Sequence, residues 1–412
     1  MYRLLISLLM GLLTSAAVPA DAASLPPAKP EDVGLSSSAL QRIGRALKAD
    51  VDAGQLAGAV VVVARKGRIA YAESVGFRDK ATGAPMTPDA IFRIASMTKP
   101  MVGVATMMLY EEGRLFVSDP VSKYFPALGK VRVGPGEGVP AEREMTIQDL
   151  LRHTSGLTYG NRGATEVHKM YPESSNAASL ELTGDELIEK LAQARLLYQP
   201  GTMWEYGLST DVLGRVVEVV SKQTLGQFLS ERIFQPLKMT DTGFVVPESK
   251  RARVAQPLAV DPNSGKDIKL PDPMVVRKFE CGGGCAVSTP SDYIRFAQML
   301  LNRGTLEGTR LLGRKTVEYM TADQLGSATI RPGDFPGPGY GFGFTMAVRR
   351  EVGVARLTGS SGDYGWGGAY GTTFWVDPKE NLTVVFMSQA PGMNRGAYPN
   401  LIKSAVLSAI RD

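Results

Sequence analysis

The segment Ile94-Ala95-Ser96-Met97-Thr98-Lys99-Pro100 carries the strongest local chemical signal in the chain. Apolar residues at helical spacing run from it to about residue 112, so it stands just before or within the start of a helix. The i, i+3 spacing puts Ser96 and Lys99 on one helical face. A serine hydroxyl is a poor nucleophile unless a nearby base takes its proton. A lysine can serve only when burial or neighbouring positive charge lowers its pKa. The partial positive charge at a helix N-terminus acts in that direction and favours a developing anion. Ser-x-x-Lys is a short pattern, and the plain alternative is a serine cap beside a solvated lysine.

Two further segments could complete such a site. Pro200-Gly201-Thr202-Met203-Trp204-Glu205-Tyr206 leads into a helical stretch from Thr210 to Ser221. A tyrosine there can relay a proton if a lysine ammonium stabilises its phenolate, although most tyrosines simply pack with a bonded hydroxyl. Gly365-Trp366-Gly367-Gly368-Ala369-Tyr370-Gly371 leads into a strand at Thr372–Asp377. Glycines beside a strand often mark close approach of a ligand to the backbone, and a backbone N–H there, with that of Ser96, could form an oxyanion hole. A bulge with a tryptophan in the core is the other reading. A histidine-based triad would need His153 as base, but the chain has no Gly-x-Ser-x-Gly elbow. His153 reads instead as a residue at a helix end, and His168, in a polar stretch, as solvent-facing.

The rest of the chain sets the frame. Its 412 residues are 44% apolar and 21% charged, which excludes a mainly disordered protein. The net charge of +5 includes no dense basic block, so a nucleic-acid partner is not expected. Residues 1–23 read as a signal peptide: a basic start, an apolar run from Leu4 to Leu13 and small residues at the cleavage region. The expectation is an exported, periplasmic or secreted protein whose mature chain does not insert stably in a membrane. Cys281 and Cys285, the only cysteines, flank three glycines and could form a local disulfide or remain as thiols.

Helical spacing covers Ser36–Ala53, with Leu40, Ile43 and Leu47 on one face, and later Asp149–Arg152, Asp185–Arg195, Thr210–Ser221 and Gly226–Arg232. Strands are expected at Ala59–Ala64 and Arg68–Val75, joined as a hairpin, and again at Phe342–Arg349, Thr372–Asp377 and Leu382–Ser388. Asn400–Arg411 reads as a closing helix. Strands from both ends of the chain should therefore pair in one sheet, with the helical middle inserted as a second lobe and a cleft between the two.

Taken together, these segments resemble the serine β-lactamase and penicillin-binding-protein superfamily, in a class C-like branch similar to family VIII carboxylesterases. The resemblance spans roughly residues 35–410 and rests on Ile91–Lys99, Asp119–Tyr124, Leu150–Leu157, Pro200–Gly214, Gly282–Gly284 and Gly365–Pro378. It implies an α+β fold, an antiparallel sheet flanked by helices with an inserted, mainly helical lobe. Residues 24–412 would form one catalytic domain, with 24–90 and 280–412 in the α/β lobe and 91–279 in the helical lobe. It implies Ser96 as acylated nucleophile, Lys99 as its partner and Tyr206 as acid/base, with an oxyanion hole from the Ser96 and Ala369 amides. Lys99, neutral or sharing a proton with Tyr206, would take the Ser96 proton; which of the two is the primary base stays open. No metal or organic cofactor is implied, and the expected partner is a small-molecule ester.

The departures from the class C pattern concern the substrate. Leu208 stands where Tyr-x-Asn would place an asparagine that bonds a β-lactam side-chain amide, and is therefore expected among the substrate-binding residues. Two other Tyr-x-Asn matches, at Tyr159 and Tyr398, lack the Pro-Gly lead-in and read as chance. The chain has no Lys-Thr-Gly motif; Trp366-Gly367-Gly368 takes its place and suits uncharged acyl esters better than carboxylates. Asp211 matches an acidic position of the esterase branch, where it could tune Lys99 or Tyr206 from behind or simply lie on a helix surface. Hydrolysis of short acyl esters is the leading expectation. Hydrolysis of β-lactams or small D-amino-acid amides is the alternative, with a non-catalytic penicillin-binding protein behind both.

Overall fold

The computed structural model describes residues 24–331, 333–392 and 394–412; the expected export segment 1–23 lies outside them. Eight antiparallel strands form the main sheet. In chain order they are β1 (Gly58–Arg65), β2 (Arg68–Asp79), β3 (Ala84–Pro85), β4 (Tyr340–Phe342), β5 (Ala347–Arg349), β6 (Tyr364–Gly368), β7 (Thr372–Asp377) and β8 (Leu382–Ser388). Their order across the sheet is β4-β5-β6-β7-β8-β1-β2-β3. The N-terminal hairpin is thus completed by the C-terminal strands, with Val61 facing Phe386 and Val63 facing Val384. Lys66 and Gly67 both adopt positive φ (54° and 74°), which is what a tight two-residue hairpin turn requires.

Side-chain alternation divides the core in two. Val60, Val62, Phe374, Val385 and Met387 point to one face of the sheet and join the core of the helical lobe. Val61, Val63, Trp375, Val384 and Phe386 point to the other and pack on α1 (Ser37–Asp52) and α10 (Asn394–Leu407). Burial on both faces explains why the β1 and β8 sequences are continuously apolar rather than alternating. The expected α1 face, Leu40, Ile43 and Leu47, is the one that meets the sheet. The remaining helices are α2 (Thr98–Glu111), α3 (Ile147–Leu151), α4 (Ser175–Glu181), α5 (Gly184–Gln193), α6 (Ser209–Ser221), α7 (Leu225–Leu229), α8 (Pro290–Leu301) and α9 (Arg314–Met320). Most of them build the second lobe.

Two local expectations need correction. Phe342–Arg349 is not one strand: a turn separates β4 from β5, and it carries buried Phe344 and Met346 into the core. The turn looked strand-like because its apolar residues serve packing rather than pleating. The Thr345 N–H donates to the Leu151 carbonyl (2.8 Å), tying this corner to α3. The closing helix begins earlier than expected, at Asn394, and tolerates Pro399 within it. The helix α8 follows a start signal that periodicity alone did not reveal: Thr289 as N-cap, then Pro290, with the Thr289 side chain bonded to the Asp292 N–H.

The loop that leads into the site is anchored by one buried carboxylate. Asp149 caps the start of α3 and accepts hydrogen bonds from Arg143 (2.6 Å), Arg152 (3.1 Å), Thr154 (2.8 Å) and the Thr146 N–H (3.0 Å). Burial alone would raise its pKa, but the bonds from Arg143, Thr146 and Thr154 outweigh it and hold the carboxyl below the ordinary range. The native value lies below the unfolded one, so the stabilisation is complete above about pH 4 and is lost as pH falls through the native value. Asp149→Ala should cost about 1–3 kcal/mol at neutral pH in urea unfolding, because it removes the acceptor shared by Arg143, Arg152, Thr154 and the Thr146 N–H. That difference should shrink as pH falls below about 4; a pH-independent deficit would show that the charge is not what matters.

Candidate active site

Ser96 lies in a single helical turn, Ala95–Met97, that runs directly into α2. The preceding Ala95 has φ +45°, an uncommon conformation for a residue with a side chain and one that recurs at functional turns. The turn is held from three sides. Thr98 Oγ1 donates to the Ala95 carbonyl (2.7 Å), the Ala286 N–H donates to Thr98 Oγ1 (3.1 Å), and Tyr293 donates to the Met97 carbonyl (2.7 Å). Ser96 is left half-buried at a cavity, while its neighbours are buried.

One helical turn on, Lys99 is fully buried. Its ammonium donates to the Gly283 carbonyl (2.5 Å), to Tyr159 Oη (3.3 Å) and to Ser96 Oγ (3.4 Å). It also sits 4.5 Å from the centre of the Tyr206 ring. Burial by itself pushes the lysine pKa down, but the facing Tyr159, Tyr206 and Asp211 push it up and prevail.

Behind Lys99 runs a chain of hydrogen bonds. Tyr159 Oη lies 2.9 Å from Ser175 Oγ, and Ser175 donates to Asp211 (2.7 Å). Asp211 accepts a second bond from the Gly283 N–H (2.9 Å). Asp211 is buried rather than on a helix surface, and burial raises its pKa despite the opposing pull of Lys99. Tyr159 is raised likewise by burial, against Lys99. These residues come from separate stretches: Lys99 from α2, Ser175 from α4, Asp211 from α6, and Gly283 from the loop before α8.

Tyr206 enters from the opposite side. It stacks on buried Trp204 (centroids 5.8 Å, 14° between planes) and packs against His153 (4.9 Å). Trp366 Nε1 donates to Tyr206 Oη (3.3 Å). The preceding Glu205 is fully buried and holds the segment in place through Thr158 (2.7 Å) and Arg331 (2.9 Å). His153 is buried among Trp204, Tyr206 and Phe342, and its pKa is driven well down by burial and then by Lys99 and Arg162. It is a neutral packing partner of Tyr206.

The strand β6 supplies the third wall. Trp366 alternates with Tyr364 on the face toward the helical lobe. A side chain on Gly368 would collide with the Ile94 carbonyl, so glycine is what lets the strand close on the Ser96 turn. Ser96, Tyr206, Trp366, Gly367, Gly368 and Ala369 all line one cavity of about 590 Å³, which continues past Phe335 and Tyr340. Of the residues expected at the site, these six share the cavity, with Lys99 and Asp211 buried behind Ser96.

Leu208 does not join them. It is fully buried in the core at the start of α6, so it contacts neighbouring side chains rather than substrate. Tyr159, whose Tyr-x-Asn pattern reads as chance in the sequence, has its hydroxyl bonded to Lys99. The missed signal is its position soon after Thr154-Ser155-Gly156-Leu157, the loop anchored by Asp149. His168 is buried, not solvent-facing, with Nδ1 2.6 Å from Thr165 Oγ1. The cysteines are joined as a disulfide. Among the described residues, no cluster of His, Cys, Asp and Glu could hold a metal ion, and no helix is long and apolar enough to cross a membrane.

A serine bonded to a buried lysine at the start of a helix, facing a glycine-flanked strand across a cleft, defines a serine hydrolase. The Beta-lactamase family pattern matches residues 43–406, and the chain belongs to that family. It is 34% identical over 352 residues to Esterase EstB of Burkholderia gladioli, covering 81% of this chain and 86% of EstB. It is 36% identical over 352 residues to Protein Rv1367c of Mycobacterium tuberculosis, covering 82% and 87%. Among solved structures it resembles EstCE1, described as a hydrolase with promiscuous acyltransferase activity, with a TM-score of 0.76, 28% identity and coverage of 90% and 98%. The simvastatin synthase LovD of Aspergillus terreus shares the fold, with a TM-score of 0.72 at 22% identity over 90% of this chain and 99% of LovD.

Tyr159→Phe removes the hydroxyl between Lys99 and Ser175 while keeping the ring. With Ser96-dependent turnover as the readout, kcat/KM should fall by about 10²-fold in a folded protein. An unchanged kcat/KM would show that Tyr159 only fills space.

Proposed function

We propose that this protein is a carboxylic-ester hydrolase that takes short-chain acyl esters through an acyl-enzyme on Ser96. The observation that carries this is the convergence of Ser96 and Tyr206 on one cavity, with Lys99 bonded behind the serine and Trp366 where the wider family has a lysine. Trp366 offers an apolar wall to the substrate and an N–H to Tyr206, not a cation for a substrate carboxylate. Similarity to EstB and EstCE1 supports ester chemistry.

In this reading the Ser96 proton passes to Tyr206 in the enzyme form in which the Lys99–Tyr206 pair keeps its proton on Lys99. The Ser96 oxygen attacks the ester carbonyl, and the oxyanion is held by the Ser96 and Ala369 amides. Tyr206 then gives its proton to the leaving alkoxide. Water, deprotonated by the same pair, releases the acid and restores Ser96. Asp211 acts through Ser175, Tyr159 and Gly283 to fix Lys99. The oxidised Cys281–Cys285 pair supports reading the protein as exported, since disulfides persist in oxidising compartments.

The test compares initial rates on p-nitrophenyl butyrate and on a chromogenic cephalosporin, for the purified protein and for Ser96→Ala. Ester turnover should dominate and should fall by several orders of magnitude in the variant. Faster cephalosporin turnover would replace this reading with β-lactam hydrolysis. Turnover of neither that depends on Ser96 would discard both.

A further inference from the structure

The Gly283 peptide is bonded on both sides to the machinery around Ser96. Its carbonyl accepts from Lys99 (2.5 Å) and its N–H donates to Asp211 (2.9 Å). Glycine is required here by close approach: a Cβ on Gly283 would collide with Ser175 Oγ and the Asp211 carboxylate, and one on Gly282 would meet the Thr210 carbonyl. Three consecutive glycines give the segment little conformational bias of its own. A peptide group that must hold a buried ammonium thus lies in a stretch with little intrinsic preference for any one conformation.

A further restraint lies at its two ends. Cys281 and Cys285 bracket the three glycines, are joined by a disulfide, and are both buried. The Cys285 N–H also donates to the Cys281 carbonyl (3.3 Å). We propose that this disulfide is a positioning element of the active site: it fixes the Gly283 peptide against Lys99, so that the reactivity of Ser96 depends on the oxidised pair. The inference rests on Ser96 being the nucleophile. Without the crosslink, the two thiols leave the glycine loop free to withdraw its carbonyl. Lys99 then keeps Tyr159, Tyr206 and Asp211 as facing groups, with neutral His153 nearby, but loses its shortest acceptor.

The experiment compares oxidised protein, protein reduced with a water-soluble phosphine, and the double variant Cys281→Ser/Cys285→Ser. In the reduction the phosphine gives up two electrons and becomes its oxide, water supplies the oxygen, and its two protons end on the sulfurs. Thiol titration confirms two thiols per chain. The first readout is the rate at which a fluorophosphonate labels Ser96, which does not depend on which ester the enzyme prefers. The second is the pH profile of kcat/KM on p-nitrophenyl butyrate, per labelled site.

The labelling rate should drop at least tenfold on reduction and recover on reoxidation. The alkaline limb of the profile should move to lower pH, because a group that favours the Lys99 ammonium has been lost. Labelling and profile within twofold of the oxidised protein, with both thiols free, would overturn the proposal. So would activity that falls only in step with the number of labelled sites, since that marks unfolding and not mispositioning. If the double variant does not fold, the reduced wild-type protein decides. Rapid labelling of the oxidised protein without ester turnover would discard the ester reading and leave the disulfide proposal to the labelling rates.

Discussion

An ammonium sealed from water is expensive, costing several kcal/mol even after relaxation, unless polar groups replace its hydration. Lys99 is such a group, and much of the helical lobe can be read as the replacement. A backbone carbonyl, a phenol and the serine hydroxyl accept its hydrogen bonds, an aromatic face covers it, and a buried carboxylate lies behind. Each comes from a different part of the chain. The lobe cannot shift one of these elements without leaving the charge exposed to the protein interior, so the solvation of one lysine fixes the relative placement of α2, α4, α6 and the 281–285 loop.

The opposite wall follows a different logic. Tyr206 is held by ring contacts instead of charge: Trp204 beneath it, His153 beside it, Trp366 above with its N–H bonded to the phenol oxygen. Phe342 of β4 touches both His153 and Trp366. This aromatic cluster knits the sheet to the helical lobe across the cleft. A charged His153 would disrupt it, and burial keeps that histidine neutral.

What could be read from the sequence was whatever leaves a period or a local pattern. The alternation-free runs of β1 and β8, the α1 face, and the Ser-x-x-Lys spacing all do so, and the order of helical and strand-rich sections is legible. Three kinds of feature left no such trace. Tyr159 reaches Lys99 only because distant segments converge, and a tyrosine near a loop looks like any other. Leu208 departs from its expected place because a motif aligned by spacing need not align in space: the helix start buries that position. The β4–β5 turn was hidden because its apolar residues pack into the core in a non-pleated conformation. Pattern reports local geometry; the second layer of a site is made by contacts distant in sequence.

The sheet places β8, close to the C-terminus, directly against β1, near the N-terminus. During synthesis β1 and β2 are made first, yet one long edge of β1 stays unpaired until more than three hundred further residues have followed. Such long-range pairing is slow to form, and an open apolar edge invites association with other chains. The helical lobe meanwhile emerges with its sheet-facing core uncovered. The two sides of the cleft are therefore joined by pairing distant in sequence: Ser96 faces β6, which lies far downstream in the chain. Until β6 to β8 join the sheet, the Ser96 turn lacks the strand that faces it, so the same strands that close the sheet also complete the cavity.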